Sequence, residues 1–186
     1  MRIVGGTYRG RRFSAPNNIP ARPTTDYAKE SLFNILSNRI DFDEVKVLDL
    51  CAGIGSISFE FVSRGVEDIT SVDIDYRSVK WLQKLRSEFS IDNWKIEKSD
   101  VHKWLIKNQE NFDLIFADPP FDFESYVELI EKAFVETEDG DLVDYHLHAL
   151  SLGTGLKSLC GRTGTTTAYV NPARFDWGEP LWKIKA

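Results

Sequence analysis

Between residues 45 and 117 short β-favouring runs alternate with longer helical patterns, and few architectures accept that rhythm. VKVLDL (45–50), ITSVD (69–73), WKIEK (94–98) and DLIFA (113–117) read as strands. The segments near 56–64, 77–90 and 101–109 read as helices, with Val79, Leu82 and Phe89 marking the middle one. Nearly continuous apolar strands are buried on both faces, so the pattern predicts a parallel sheet covered by helices. Right-handed crossovers then give an α/β fold with a Rossmann-like, doubly wound, mostly parallel sheet. Ligands of such sheets lie beyond the C-terminal ends of the strands, which selects the residues to inspect.

Upstream, RIVGGTYRGRRF has two β-favouring pieces around Gly5 and Gly6 and reads as a small hairpin or extended arm. The turn-rich linker NNIPARPTT follows, with Pro20 and Pro23. Thr24 or Thr25 can cap a helix in which Ala28, Leu32, Ile35 and Leu36 recur, running to about Asn38. Residues 1–25 hold Arg2, Arg9, Arg11, Arg12 and Arg22 with no acidic residue and no lysine, whereas the whole chain has a net charge of −6. Arginine's planar fork suits bidentate phosphate contacts, so a basic N-terminal arm or hairpin (1–25) on an acidic body points to a phosphate-bearing partner.

The remaining 26–186 are expected to form one domain, since 186 residues suit a single α/β core. No run of 18 apolar residues exists to span a bilayer. The opening MRIVGGTYRG lacks the apolar stretch of a signal peptide, and the distant Cys51 and Cys160 suggest no disulfide framework. A cytoplasmic monomer with no membrane association and no metal is the expectation. After Gly140 the pattern weakens: a strand near 141–147 can be read and little else, and no internal repeat is visible.

The strand ends carry acids. The first strand runs into LDLCAGIGSISFE, where Asp49 precedes a glycine turn at Gly53 and Gly55 that would let backbone approach a ligand beneath exposed amides. Ser58 takes the third glycine position, so the full dinucleotide fingerprint is absent. A carboxylate before the turn would receive an ammonium and repel a pyrophosphate. Asp73 ends the second strand where an acid can take a ribose diol, with Asp75 beside it as a helix cap. Asp100 follows the third strand and either caps the next helix or meets an adenine amine. Such a pocket suits a ligand with hydroxyls, amines and positive charge, and S-adenosyl-L-methionine fits. The fourth strand then delivers DPPF (118–121). Prolines fix φ, so the Asp118 oxygen and the following carbonyl can converge on one amine while Phe121 offers a stacking face.

These residues resemble a known group. LDLCAGIGSISFE is similar to motif I of class I S-adenosylmethionine-dependent methyltransferases, and DPPF to the [DN]-PP-[YFW] motif of amino-methyltransferases. MRIVGGTYRGRRF with RPTTDYAKESLFNIL resembles the bacterial 16S rRNA guanine-N2 methyltransferase family, RsmD type, over roughly residues 1–136. That resemblance implies methylation of a guanine exocyclic amine in 16S rRNA, in the assembled 30S subunit, with S-adenosyl-L-methionine as cofactor. It implies that Asp49, Gly53 and Gly55 hold the methionine end, Asp73 the ribose and Asp100 the adenine edge. Ala52, Ile74 and Val101 are further implied cofactor contacts. Asp118, Pro119, Pro120 and Phe121 would hold the guanine, and Arg9, Arg11, Arg12, Arg22 and Thr24 the RNA. The family continues with an apolar strand ending in a Glu-His-like pair, and beyond Gly140 nothing here matches it. Either the tail 141–186 is divergent or the reading frame changes near codon 143. An amino-methyltransferase acting on DNA adenine or protein glutamine, and a noncatalytic RNA- or nucleotide-binding module, stay open at this point.

Overall fold

A computed structural model describes residues 1–21 and 23–119, together with the backbone of two strands at His148–Leu150 and Thr166–Val170. The expected strand near 141–147, and the rest of the tail after Gly140, lie outside the described residues.

Helix α1 spans Asp26–Ser37 and is capped by Thr25, whose Oγ1 accepts from the Ala28 N–H at 3.3 Å. A 3₁₀ turn at Phe42–Glu44 leads into β1 (Lys46–Leu50). Then follow α2 (Ser58–Ser63), β2 (Asp68–Asp73), α3 (Tyr76–Glu88), β3 (Trp94–Lys98), α4 (Val101–Lys107) and β4 (Leu114–Ala117). Every strand and helix read from the sequence up to residue 117 is present, with ends displaced by a residue or two. The remaining strands are β5 (His148–Leu150) and β6 (Thr166–Val170).

The sheet order is β3-β2-β1-β4-β6-β5. Pairings β1 with β2, β1 with β4 and β2 with β3 are parallel, whereas β6 runs antiparallel to both β4 and β5. The sheet is therefore doubly wound and mostly parallel. Its order reverses between β1 and β4, the crevice where such folds take ligands.

Alternating side chains build two cores. Val47, Ile69, Trp94, Leu114 and Phe116 face one way and pack with Leu32 and Phe33 of α1, Phe59 of α2 and Leu82 of α3. Leu48, Leu50, Val72 and Ala117 face the other way, against Val101 and Trp104 of α4. At the sheet edge β3 exposes Lys95, Glu97 and Lys98, and such charges discourage pairing with another chain.

The first thirteen residues close a hairpin-like loop fastened to this body. Ile3 N–H donates to Arg11 O at 2.9 Å and Gly10 N–H to Ile3 O at 2.8 Å, and Arg2 bridges Arg12. Tyr8 and Phe13 pack their rings against Phe59 and Phe89 at centroid distances of 5.0–5.4 Å. Glu60, fully buried on α2, accepts from the N–H groups of Val4 and Gly5 at 2.8 and 3.3 Å. Arg2 is occupied by Asp26 (2.8 Å) and Glu30 (3.6 Å) of α1. One arginine of the basic N-terminal stretch is thus neutralised, because acids absent from residues 1–25 are supplied by the next helix.

Candidate cofactor and substrate site

β1 leaves the sheet into a tight turn with three left-handed residues, Cys51 (φ 62°), Gly53 (φ 56°) and Gly55 (φ 76°). The turn is tied to its neighbours: Ala52 N–H donates to Val72 O at 3.1 Å and Trp81 Nε1 to Ile54 O at 3.2 Å. The glycines were expected to admit a ligand. A Cβ on Gly55 would lie 2.4 Å from Leu82 Cδ2, and one on Gly53 2.8 Å from Ala21 Cβ. The missing side chains therefore also make room for α3 and for the linker before α1.

Asp73 organises the same turn. Its Oδ2 accepts from Gly53 N–H at 2.6 Å and its Oδ1 from Asp75 N–H at 2.8 Å. Asp49 is buried with 1% of its surface exposed and accepts from Ser58 Oγ. That hydroxyl lies 2.8 Å from Ser71 Oγ, which in turn accepts from Trp94 Nε1 at 2.8 Å. Burial lifts the Asp49 carboxyl to about 7 against the pull of Ser58, and the negative charges of Asp118 and Asp73 add to the rise. Asp73 is also raised, by burial, against the hydrogen bonds from Asp75 and Gly53. No lysine or arginine among the described residues pairs with either acid. Asp49 and Asp73 thus place two buried carboxyls without a lysine or arginine partner at the strand ends.

Asp75 and Asp100 are helix caps. Asp75 accepts from Arg77 N–H (2.7 Å) and Ser78 N–H (3.4 Å), and the Arg77 side chain holds its carboxyl down at about 2. Asp100 accepts from Lys103 N–H at 3.1 Å, the cap expected from its position before α4. Around them, Ala52 and Val101 are buried, while Ile74, next to Asp73 in the chain, stands 65% exposed.

Asp118 leaves β4 directly beside β1: its N–H reaches toward Leu50 O at 3.5 Å, and its side chain is exposed while Pro119 is buried. DPPF therefore begins in the crevice between β1 and β4. Pro120, Phe121 and Arg22 lie outside the described residues.

Asp49, Asp73, Asp100 and Asp118 are gathered along one edge, at the C-terminal ends of β1 to β4. The arginines are elsewhere. Arg9 and Arg12 are exposed on the hairpin, and Arg11 sits 5.8 Å from the Phe89 ring centroid, at the far end of α3 from the acids. Thr24 is partly exposed, and the cap of α1 is its neighbour Thr25. Residues 16–21 run between hairpin and turn, with Pro16 and Asn18 beside α3 and Ala21 over Gly53. Ala21 carried no signal in the sequence, because an alanine in a proline-rich linker has no chemistry to flag.

Residues 1–142 match the family model described as Conserved hypothetical protein 95. The chain belongs to that family. The resemblance carried by the glycine turn, DPPF and the N-terminal segment is therefore one of true family membership. Among relatives, the ribosomal RNA small subunit methyltransferase D of Buchnera aphidicola is 34% identical over 121 residues, covering 65% of this chain and 61% of the relative. The chain thus spans about three fifths of that relative's length. The YlbH protein of Bacillus subtilis is 32% identical over 153 residues, covering 78% of this chain and 82% of YlbH. Among solved structures, the Escherichia coli yhhF protein superposes with a TM-score of 0.71 at 24% identity, covering 92% of this chain and 97% of that one, which shows a shared fold.

Proposed function

We propose that the protein transfers a methyl group from S-adenosyl-L-methionine to the exocyclic N2 amine of a guanine in 16S rRNA, acting as a cytoplasmic monomer on the assembled 30S subunit. The observation that carries this reading is the position of Asp118, beside β1 and next to a glycine turn ringed by buried acids without counter-cations. The names of relatives in the family, small-subunit rRNA methyltransferases, support the RNA substrate.

The acids fit the cofactor's chemistry. Burial is the main cause that lifts Asp49 and Asp73, with neighbouring acids adding to it, so a cationic ligand at this edge favours their charged forms whereas a pyrophosphate would disfavour them. Asp49, Ala52, Gly53 and Gly55 take the methionine end, Asp73 with Ile74 the ribose and its neighbour, and Asp100 with Val101 the adenine edge. When bound, S-adenosylmethionine supplies an electrophilic methyl on its sulfonium. Asp118 and the carbonyl within the Pro-Pro step accept from the guanine amine, turning its lone pair away from conjugation with the ring. Phe121 stacks on the base. Pro119 and Pro120 fix the segment, so that the contribution is positioning more than basicity. The proton lost from the amine passes to solvent.

The test is tritiated methyl transfer to 30S subunits from cells lacking the modification, with the product nucleoside identified. N2-methylguanosine is the expected product. Methylated adenine in DNA or methylated protein glutamine would redirect the reading to another amine. Cofactor binding by calorimetry without transfer to any substrate would mark a noncatalytic module.

A further inference from the structure

The hairpin arginines and the strand-end site lie at opposite ends of α3. A helix of 13 residues is about 20 Å long, so one RNA touching both must follow a surface between them. The molecule offers one. Between α3 and the linker at Pro16 and Asn18 lies a groove of about 680 Å³ floored by Tyr76, Arg77, Lys80, Gln83 and Lys84. Lys80 and Lys84 stand one helical turn apart, about 6 Å, comparable to the spacing of successive phosphates on an extended strand. Neither is paired with a carboxylate among the described residues, and Lys84 Nζ lies 5.7 Å from the Trp81 ring centroid. At the site end, Tyr76 is 60% exposed with Lys98 Nζ 5.9 Å from its ring centroid. At the other end Phe89 caps α3 beneath Arg11.

We infer that this groove is a phosphate track, in which Lys80 and Lys84 hold the ribose-phosphate backbone of the substrate strand between the arginine hairpin and the target nucleotide. The inference rests on the proposed RNA substrate. Charge complementarity selects the occupant: an exposed row of cations with an aromatic ring at one end suits a polyanion with stacking bases, on a chain whose net charge is otherwise −6.

The experiment compares wild type, Lys80→Gln/Lys84→Gln, and Lys103→Gln/Lys107→Gln, which removes the same charge from α4 on the other face of the sheet. Binding to protein-free 16S rRNA is followed across a salt series, with S-adenosylmethionine affinity measured alongside. The α3 pair is expected to weaken RNA binding five- to tenfold and to reduce the slope of log affinity against log salt by about 1.4, two single-strand phosphate contacts. Cofactor affinity should stay within twofold, and the α4 pair should match wild type. An unchanged slope in the α3 pair, or an equal loss in the α4 pair, overturns the track while leaving the proposed function intact. Normal binding to free RNA with methylation lost only on assembled subunits identifies an acidic protein partner and overturns it too. Failure of wild type to bind or methylate rRNA at all overturns the function and the track together.

Discussion

Lys29 Nζ and Glu60 Oε1 lie 3.1 Å apart with both side chains fully buried, joining α1 to α2 beneath the N-terminal hairpin. Lys29 also meets Asp26 at 3.3 Å and donates to Arg2 O, while Glu60 takes Arg64 at 2.5 Å and two hairpin N–H groups. The two partners are not equivalent. Glu60→Leu leaves two backbone donors without an acceptor and removes the carboxylate that Lys29 and Arg64 share, and should cost about 3–5 kcal/mol, whereas Lys29→Met leaves Glu60 with Arg64 and should cost about half as much. Denaturant unfolding ranks them, and protease sensitivity at Arg9 and Arg11 should rise more in Glu60→Leu.

With Asp49 in its proposed place at the cofactor, stability and cofactor binding oppose each other. Its carboxyl titrates near 7 when folded and at the ordinary 3.8 when unfolded. Between those values the folded state keeps a proton that the unfolded state has released, so this group lowers stability as pH rises from about 4 to 7, with the full penalty above 7. Asp75 acts in a separate window, its folded value of about 2 giving a contribution lost only as pH falls below 4. Asp49→Asn should therefore raise the melting temperature of the free protein at pH 8 and weaken S-adenosylmethionine binding at least tenfold. A variant that melts lower at pH 8 would contradict the charge argument.

On the proposed reading, in which Asp118 meets the base amine, Asp118→Ala should abolish methyl transfer while cofactor affinity changes only a few-fold. Parallel loss of both, by calorimetry and tritium transfer, would move Asp118 to the cofactor.

Gly55→Ala places a methyl 2.4 Å from Leu82 Cδ2 at a left-handed φ of 76°. A destabilisation of about 3 kcal/mol is expected, of which Leu82→Ala in the same chain should recover the steric part and leave the backbone part of about 1–2 kcal/mol. Additive losses in the double-mutant cycle would show that the clash relaxes by another route.

The family match ends at residue 142, where the apolar periodicity also gives out. Resequencing the gene separates the two readings of residues 141–186, and a one- or two-nucleotide shift near codon 143 would mark an altered frame. An intact frame would make residues 141–186 a divergent tail of this protein.

Strands β1 to β4 were legible because a parallel strand buried on both faces leaves little choice but apolar residues. Thr25, Asp75 and Asp100 were legible because capping is local chemistry. The Lys29–Glu60 pair was not, since a lysine on an amphipathic helix reads as solvent-facing until a second helix closes over it. The packing of Leu82 against Gly55 and of Ala21 against Gly53 was hidden for a related reason: a glycine announces close approach without naming the neighbour. The antiparallel pairing of β6 with β4 was invisible because a short strand carries no record of its neighbour's direction.

The hairpin's hydrogen bonds reach some 55 residues along the chain, to Glu60 and Ser63. During synthesis the hairpin therefore waits for its Glu60 and Ser63 partners until α2 has left the exit tunnel. Because the same segment leads on to Ala21 over Gly53, the roof of the glycine turn is synthesised before its floor and closes only once that floor exists.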